Sequence, residues 1–319
     1  MGFRAFPLDG SLLRFDRATG ENQLWTGDET AAFRQRAPRV LQVAITNACN
    51  KSCTFCYRPL DARSTWTFDA LLELARFADR WGVLELAFGG GEPTVFPRFA
   101  ELVRAIWDET ALCPSFTTNG SRLTPELLRE LRGRLGQIQL SIYDDDDYLA
   151  TIELLAAERV RFGLNYLVTP ARLATLEADV AAFAARGVRD ILLLSYKGRD
   201  PALHLTRSQQ ARFDEGVARM YRVLPIDLKV DVCWGHRLRR TPRLFDDGDC
   251  GAGSLFLSIT SDRRALACSF ADDGVAFDSP AELPAIWAAM RSARPAAPKP
   301  GCARLPRFGL SLPVVEEQR

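Results

Sequence analysis

Apolar runs of strand length alternate along the chain with longer stretches in which apolar residues recur every three or four positions. The runs predict strands at 40–46, 84–88, 114–118, 137–143, 163–168 and 191–195. The longer stretches predict helices at 68–81, 98–109, 125–131, 148–158, 173–185 and 208–223. Strands that alternate with helices indicate βα units and a parallel sheet. We therefore predict an α/β fold and expect functional residues at the carboxyl ends of the strands.

Three cysteines follow the first predicted strand. Cys49, Cys53 and Cys56 are separated by three and two residues. Three thiolates from one short loop can bind three irons of a four-iron cube and leave the fourth iron for a ligand that is not protein. The aromatic residues Phe55 and Tyr57 on either side of the last cysteine would shield such a cluster from water.

Zinc and disulfides are the alternatives for these cysteines. Structural zinc sites use a second cysteine pair or a Cys/His pair, and neither His204 nor His236 lies near this loop in sequence. The amino terminus has no apolar signal core, so we expect a cytoplasmic protein with reduced thiols. These observations favour an iron–sulfur cluster.

Length and charge narrow the class further. With 319 residues and 47% hydrophobic residues, the chain can form one large domain with a small appendage. Its 41 basic residues nearly balance 40 acidic ones, so no general attraction to nucleic acid or anionic lipid is expected. No segment approaches the roughly 18 consecutive apolar residues of a membrane span. We predict neither a nucleic-acid nor a membrane partner.

A glycine-rich motif follows the second predicted strand. Gly89, Gly90 and Gly91 precede Glu92 and Pro93. A glycine run alone often means only a tight turn, but this one follows the cysteine loop by one βα unit.

Together the two motifs resemble the radical S-adenosylmethionine (radical SAM) superfamily. In that family a CxxxCxxC loop carries a 4Fe–4S cluster, and a GGE motif receives the amino group of S-adenosylmethionine (SAM). The resemblance implies that Gly90, Gly91 and Glu92 bind SAM. It also implies a partial (βα)6 barrel.

Polar residues at the later strand ends fit the same ligand. Hydroxyls and amides there can bond ribose hydroxyls and the methionine carboxylate, although each alone is also a common turn or strand-end cap. The candidates for SAM binding are Thr118, Asn119, Ser141, Asn165 and Ser195.

The chain after the barrel predicts a β-hairpin flanked by cysteines. Segment 249–270 contains a cysteine, a strand, a polar turn at 260–264, a second strand and a second cysteine. A hairpin would bring Cys250 and Cys268 close together. Cys302 follows a predicted helix and could supply a third thiolate. This layout resembles the SPASM/Twitch region of many radical SAM enzymes, which holds an auxiliary iron–sulfur cluster.

One ligand of that auxiliary site is missing from the pattern. A Twitch site normally has four cysteines, and Cys302 has no second thiol close after it. Cys233 is the best remaining thiol, and it is a fourth ligand, a catalytic residue or a buried small hydrophobe. A zinc ribbon is the alternative for the C-terminal cysteines. Cys113 precedes a strand and is expected in the core.

We divide the chain into three regions on these grounds. Residues 1–38 form an N-terminal hairpin extension with its turn at 18–22, placed beside the barrel mouth. Residues 39–228 form the radical SAM partial barrel. Residues 229–319 form the SPASM/Twitch-like region, a small β-hairpin plus helix domain.

The resemblance implies reductive cleavage of SAM to methionine and a 5′-deoxyadenosyl radical, which abstracts hydrogen from a substrate. It implies an electron donor such as flavodoxin or ferredoxin. We expect a ribosomally made peptide as substrate, modified by cross-linking, epimerisation or excision. The alternatives are a small-molecule dehydrogenase or rearranging enzyme of antibiotic biosynthesis, and a non-catalytic iron–sulfur or zinc protein.

Overall fold

The computed structural model describes residues 2–59, 61–143, 147–198, 200–241 and 250–294. The first elements are three strands: β1 (Arg4–Leu8), β2 (Ser11–Phe15) and β3 (Asn22–Thr26). The barrel elements are β4 (Val40–Thr46), α1 (Phe68–Trp81), β5 (Glu85–Gly90), α2 (Phe99–Glu109), β6 (Cys113–Thr118), α3 (Pro125–Leu131), β7 (Ile138–Ser141), α4 (Tyr148–Ala157), β8 (Phe162–Val168), α5 (Pro170–Leu173), α6 (Leu176–Ala185), β9 (Asp190–Ser195), α7 (Arg207–Val223) and β10 (Asp227–Val230). The last elements are β11 (Phe256–Ile259), β12 (Arg264–Leu266), β13 (Val275–Ala276) and α8 (Leu283–Ser292).

The main sheet has the order β10-β9-β8-β7-β6-β5-β4-β11-β12-β13. Strands β4 to β10 are parallel, so the predicted α/β fold with a parallel sheet is confirmed. Two further parallel strands are present among the described residues, β10 beside β9 at one edge and β11 beside β4 at the other. None of the helices among these residues is long and apolar enough to cross a membrane.

The predicted C-terminal hairpin is present, but it joins the barrel sheet. Strands β11 and β12 are antiparallel, whereas β11 pairs in parallel with β4 at the other edge of the barrel. The Ser258 hydroxyl donates to Gln42 Oε1 at 2.9 Å across this pairing. The hairpin therefore continues the barrel wall. The three region boundaries and the Twitch assignment stay predictions.

Alternate residues of the strands are buried under the helices. Leu41 and Ile45 of β4 share one core cluster with Leu71 and Leu74 of α1. Helix α1 begins where the Thr67 side chain accepts the Ala70 N–H, and it ends at a left-handed glycine. The remaining strand positions face the barrel interior.

One predicted helix begins later than expected, after a short helix that was not predicted. Residues 173–185 were expected as one helix, but α5 ends at Leu173 and α6 begins at Leu176. The Thr169 side chain accepts the Arg172 N–H and starts a separate short helix at Pro170.

The N-terminal sheet lies at the amino ends of the barrel strands, so its expected position beside the mouth is wrong. Phe15 packs with Leu84 and Cys113, which stand at the starts of β5 and β6. Arg17 donates to the carbonyls that precede β6, at 2.7 Å for Thr110 and 3.0 Å for Leu112. The sheet closes the end of the barrel opposite the cysteine loop.

Replacing Arg17 with Ala should lower the free energy of unfolding by about 2 kcal/mol, because several main-chain carbonyls lose a charged donor. The control is Arg34→Ala, since Arg34 is exposed and donates only to nearby carbonyls. Urea unfolding of the wild-type protein and the two variants measures the change in the free energy of unfolding. Equal effects would show that Arg17 does not hold the sheet in place.

Candidate functional site

The cysteine loop leaves β4 at the carboxyl edge of the sheet. Cys49 and Cys53 are half-buried, and Cys56 is exposed. The Lys51 N–H donates to Cys49 Sγ at 3.4 Å, and the Cys56 N–H donates to the Cys53 carbonyl at 3.1 Å. No three His, Cys, Asp or Glu side chains of the described residues converge as ligands of a single metal ion. A four-iron cube binds each cysteine through a different iron, so its ligands stand apart.

Asn47 closes the loop at its base. Its Nδ2 donates to the Pro59 carbonyl at 2.8 Å and to the Ala62 carbonyl at 2.9 Å. The Arg58 guanidinium donates to the Asn47 carbonyl at 2.6 Å. These bonds join the residue before the three cysteines to residues after them, so the two ends of the cysteine loop lie close together. Asn47 was not predicted from the sequence as part of the site.

The glycine turn packs directly on the cysteine loop. The Gly91 N–H donates to the Thr46 carbonyl and the Glu92 N–H to the Ala48 carbonyl, each at 2.8 Å. A Cβ at Gly91 would overlap the Ala48 carbonyl, and one at Gly90, whose φ is +107°, would overlap the Thr46 carbonyl. Glycine is therefore required at both positions by the approach of the two loops.

Glu92 holds neighbouring strand ends together. Its side chain is 1% exposed. Oε1 accepts from the hydroxyls of Thr94 at 2.7 Å and Thr118 at 2.8 Å, and Oε2 accepts from the Asn119 N–H at 2.8 Å. Both carboxylate oxygens of Glu92 and the Thr118 hydroxyl are thus engaged inside the protein. Direct binding of SAM by Glu92 and Thr118 stays a prediction.

Asn119 links the end of β6 to the cysteine loop. Its Nδ2 donates to Asn50 Oδ1 at 2.9 Å, and Asn50 Nδ2 donates to Ser121 Oγ at 2.6 Å. Ser121 Oγ in turn donates to Asn119 Oδ1 at 2.6 Å. This ring of bonds orients Asn119, whose contact with SAM remains a prediction.

Ser141 and Asn165 are paired neighbours on β7 and β8. Asn165 Oδ1 is buried and has no hydrogen-bond partner among the described residues. A buried acceptor normally has a partner, so a bound ligand with an N–H or O–H group would complete this site. Binding of SAM by Ser141 and Asn165 stays a prediction.

Ser195 contacts a buried ion pair. Its hydroxyl donates to Asp231 Oδ2 at 3.0 Å, and Lys197 Nζ donates to the same oxygen at 2.6 Å. The side chains of Lys197 and Asp231 are only 9% and 10% exposed. Contact of Ser195 with SAM stays a prediction. Asp231 was not predicted from the sequence, where its position directly after β10 is the signal it carries.

The structure brings two of the C-terminal cysteine segments together. The Gly253 N–H donates to the Ala267 carbonyl at 2.9 Å, so the segments that carry Cys250 and Cys268 are adjacent. Both cysteines are half-buried. Cys302 lies outside the described residues. The predicted auxiliary site therefore has two of its thiols in neighbouring segments.

Cys233 and the segment after Cys268 both reach the barrel mouth. The Cys233 N–H donates to Asp231 Oδ1 at 2.9 Å. The Phe270 ring lies 4.2 Å from the Tyr57 ring and 5.1 Å from Lys197 Nζ. The C-terminal segment thus spans from the cysteine loop to the end of β9. Cys233 is half-buried, and its three predicted roles (fourth ligand, catalytic residue or small hydrophobic residue) stay predictions.

Part of the chain is similar to proteins of known class. Residues 43–161 match the Radical SAM superfamily. The tungsten-containing aldehyde ferredoxin oxidoreductase cofactor-modifying protein of Pyrococcus furiosus is 35% identical over 97 residues, which cover 29% of this chain and 27% of that protein. The PqqA peptide cyclase of Gluconobacter oxydans is 27% identical over 276 residues, which cover 74% of this chain and 71% of that protein. The crystal structure of Streptococcus suis SuiB bound to SAM gives a TM-score of 0.66 at 16% identity, over 82% of this chain and 69% of that chain.

Residues 43–161 therefore carry the match to the Radical SAM superfamily, and the fold of the chain is similar to that of SuiB. The matched segment contains Cys49, Cys53 and Cys56 together with the glycine turn. The chain spans less than a third of the length of the Pyrococcus relative.

Replacing Gly91 with Ala should displace the cysteine loop, because the new methyl group would occupy the space of the Ala48 carbonyl. We expect reconstituted iron content to fall by roughly half or more, as changes around metal ligands commonly weaken binding tenfold or more. Gly89→Ala is the control, since its Cβ would meet no atom within 4 Å. Unchanged iron content in Gly91→Ala would refute the importance of this packing.

Proposed function

We propose that the chain cleaves SAM reductively and uses the resulting 5′-deoxyadenosyl radical to abstract hydrogen from a ribosomally made peptide. The proposal of SAM cleavage rests on one observation: the cysteine loop packs on the glycine turn at the carboxyl edge of the barrel. The thiols of Cys49, Cys53 and Cys56 would hold three irons and leave one for SAM. Asn165 Oδ1 offers a buried acceptor for the same ligand.

When held by Cys49, Cys53 and Cys56, a four-iron cluster would supply the electron needed to break a carbon–sulfur bond of SAM. The protein's own contribution is position and exclusion of water. Gly90 and Gly91 let main-chain groups approach the ligand, while Glu92 fixes the strand ends around them. The Phe55 ring stacks on Tyr143 with centroids 5.6 Å apart and covers one side of the loop. Exposed Cys56 leaves the loop accessible to a one-electron donor of the flavodoxin or ferredoxin class.

A peptide substrate is supported by the longest of the sequence matches described above. Similarity to the PqqA peptide cyclase covers 74% of this chain and so extends well beyond the family segment 43–161. SuiB has also been crystallised with its precursor peptide SuiA, and that structure gives a TM-score of 0.65 over 79% of this chain. We infer a cross-link, an epimerisation or an excision as the outcome.

A small-molecule substrate is the second candidate. The relative from Pyrococcus furiosus modifies a cofactor, as its name states, and its local identity of 35% exceeds that of the peptide cyclase. Mass spectrometry of reactions with candidate peptides and with small molecules separates the two proposals.

We also propose an auxiliary iron–sulfur cluster bound by Cys250, Cys268 and Cys302, with Cys233 as a fourth ligand or a catalytic residue. The adjacency of the Cys250 and Cys268 segments supports it. The closeness of Phe270 to Tyr57 would place this site near the barrel mouth. Such a cluster would accept an electron from the substrate radical or anchor the substrate.

Cys53→Ala should reduce 5′-deoxyadenosine formation by more than roughly 100-fold. Removing a metal ligand lowers activity more than replacing a residue that only contacts a ligand. Cys113→Ala is the matched control, because Cys113 is 1% exposed in the N-terminal cluster and burial raises its pKa to about 12. Chromatography of reactions with dithionite and SAM measures the product. Retained cleavage in Cys53→Ala would refute the proposal.

Cys268→Ala should keep SAM cleavage but stop substrate turnover, because it removes a ligand of the auxiliary cluster alone. Iron analysis should show a loss of about four irons per chain with the first cluster retained. Full turnover with unchanged iron would contradict the auxiliary site.

A further inference from the structure

Phe270 lies on a tight turn that follows β12. The Ala271 N–H donates to the Cys268 carbonyl at 2.8 Å, so Phe270 is a central residue of this turn. The main-chain bond from the Gly253 N–H to the Ala267 carbonyl, at 2.9 Å, holds the start of the turn. The half-buried Phe270 side chain therefore extends from a base that is fixed to the rest of the C-terminal segment.

The Phe270 ring connects two distant parts of the barrel mouth. Its centre lies 4.2 Å from the centre of the Tyr57 ring, which directly follows the last cysteine of the loop that leaves β4. The same ring lies 5.1 Å from Lys197 Nζ, just beyond the end of β9. Four strands, β5 to β8, separate β4 from β9 in the sheet. Phe270 thus joins two strand ends that the sheet itself holds apart.

The mouth is the end of the barrel at which a ligand enters. The N-terminal sheet covers the opposite end, where Phe15 packs with Leu84 and Cys113 at the starts of β5 and β6. The cysteine loop and the glycine turn both lie at the carboxyl edge, after the paired ends of β4 and β5. A molecule that approaches these two segments from the side of β9 therefore meets the Phe270 ring.

The charged groups beside the ring are paired with each other. Lys197 Nζ donates to Asp231 Oδ2 at 2.6 Å, and the two side chains are almost completely buried. Because the positive and negative charges balance, the effect of this part of the mouth on an entering molecule is mainly steric. The bulk of the Phe270 ring is then the property that matters.

We propose that Phe270 is a gate of the SAM site. Its ring closes the entrance when it lies on Tyr57 and Lys197, and SAM enters or leaves when the ring turns away from them. The inference rests on the proposed function, because it takes SAM as the ligand. Each ring contact is weak, so the closed position is favoured but opens through ordinary side-chain motion. A gate of this kind sets how fast a ligand enters and leaves, and it leaves the affinity unchanged.

Rapid-filtration binding of radiolabelled S-adenosylhomocysteine, an unreactive analogue of SAM, to the reconstituted holoenzyme tests the gate. Phe270→Leu removes the ring and widens the entrance. We expect its association and dissociation rate constants both to rise by roughly tenfold with an unchanged Kd, which lies within the range that variants of one binding site show. Phe33→Leu is the control, because Phe33 is exposed and its carbonyl bonds to Gly10 of the N-terminal sheet. Wild-type rates in Phe270→Leu, or a Kd changed through one rate constant alone, would overturn the proposal.

Phe270→Trp makes the opposite change. The larger ring should fill more of the entrance, so both rate constants should fall below the wild-type values while Kd again stays the same. General damage to the structure would move the rates of Phe270→Leu and Phe270→Trp in the same direction, and that result would refute the gate. The rate constants are measured per bound site, so the comparison holds even where one variant loads less iron.

Failure of the proposed function gives a different result. A wild-type holoenzyme that binds no S-adenosylhomocysteine would contradict SAM binding itself. Binding with rate constants that do not depend on residue 270 would contradict the gate alone.

Discussion

The site depends on the packing of the cysteine loop against the glycine turn. The main-chain bonds from Gly91 to Thr46 and from Glu92 to Ala48 join the carboxyl ends of β4 and β5 at 2.8 Å. No side chain fits between these segments. The loop that carries three thiols is therefore held against the barrel by backbone contacts, which side chains elsewhere then reinforce.

Buried polar side chains form that reinforcement. Glu92 connects the glycine turn to β6, Asn119 connects β6 to the loop through Asn50, and Tyr143 connects β7 to the loop. At the far side of the mouth, Lys197 and Asp231 pair at the ends of β9 and β10. Because the ends of β5, β6 and β7 each contribute a contact, several neighbouring strands set the geometry of the loop.

Local patterns were sufficient for much of the fold and of the candidate site. The predicted bounds of β4 and α1 agree with the structure. In each element the apolar residues recur with a clear period, and α1 also has clear capping residues at its ends. The pairing of β11 with β4 and the position of the N-terminal sheet were not predictable, because they depend on contacts between residues far apart in sequence. The same reason explains why Asp231 and Tyr143 were missed. Glu92 was recognised from its motif, but its bonds to Thr118 and Asn119 required the structure.

The central claim is that Cys49, Cys53 and Cys56 hold a cluster with an iron open to SAM. EPR of the anaerobically reconstituted and dithionite-reduced protein, recorded before and after addition of SAM, tests it most directly. The account predicts a reduced-cluster signal that changes on addition of SAM and is lost in Cys53→Ala, with about four irons per chain assigned to this loop. A signal unaffected by SAM, or zinc bound in place of iron, would contradict the account.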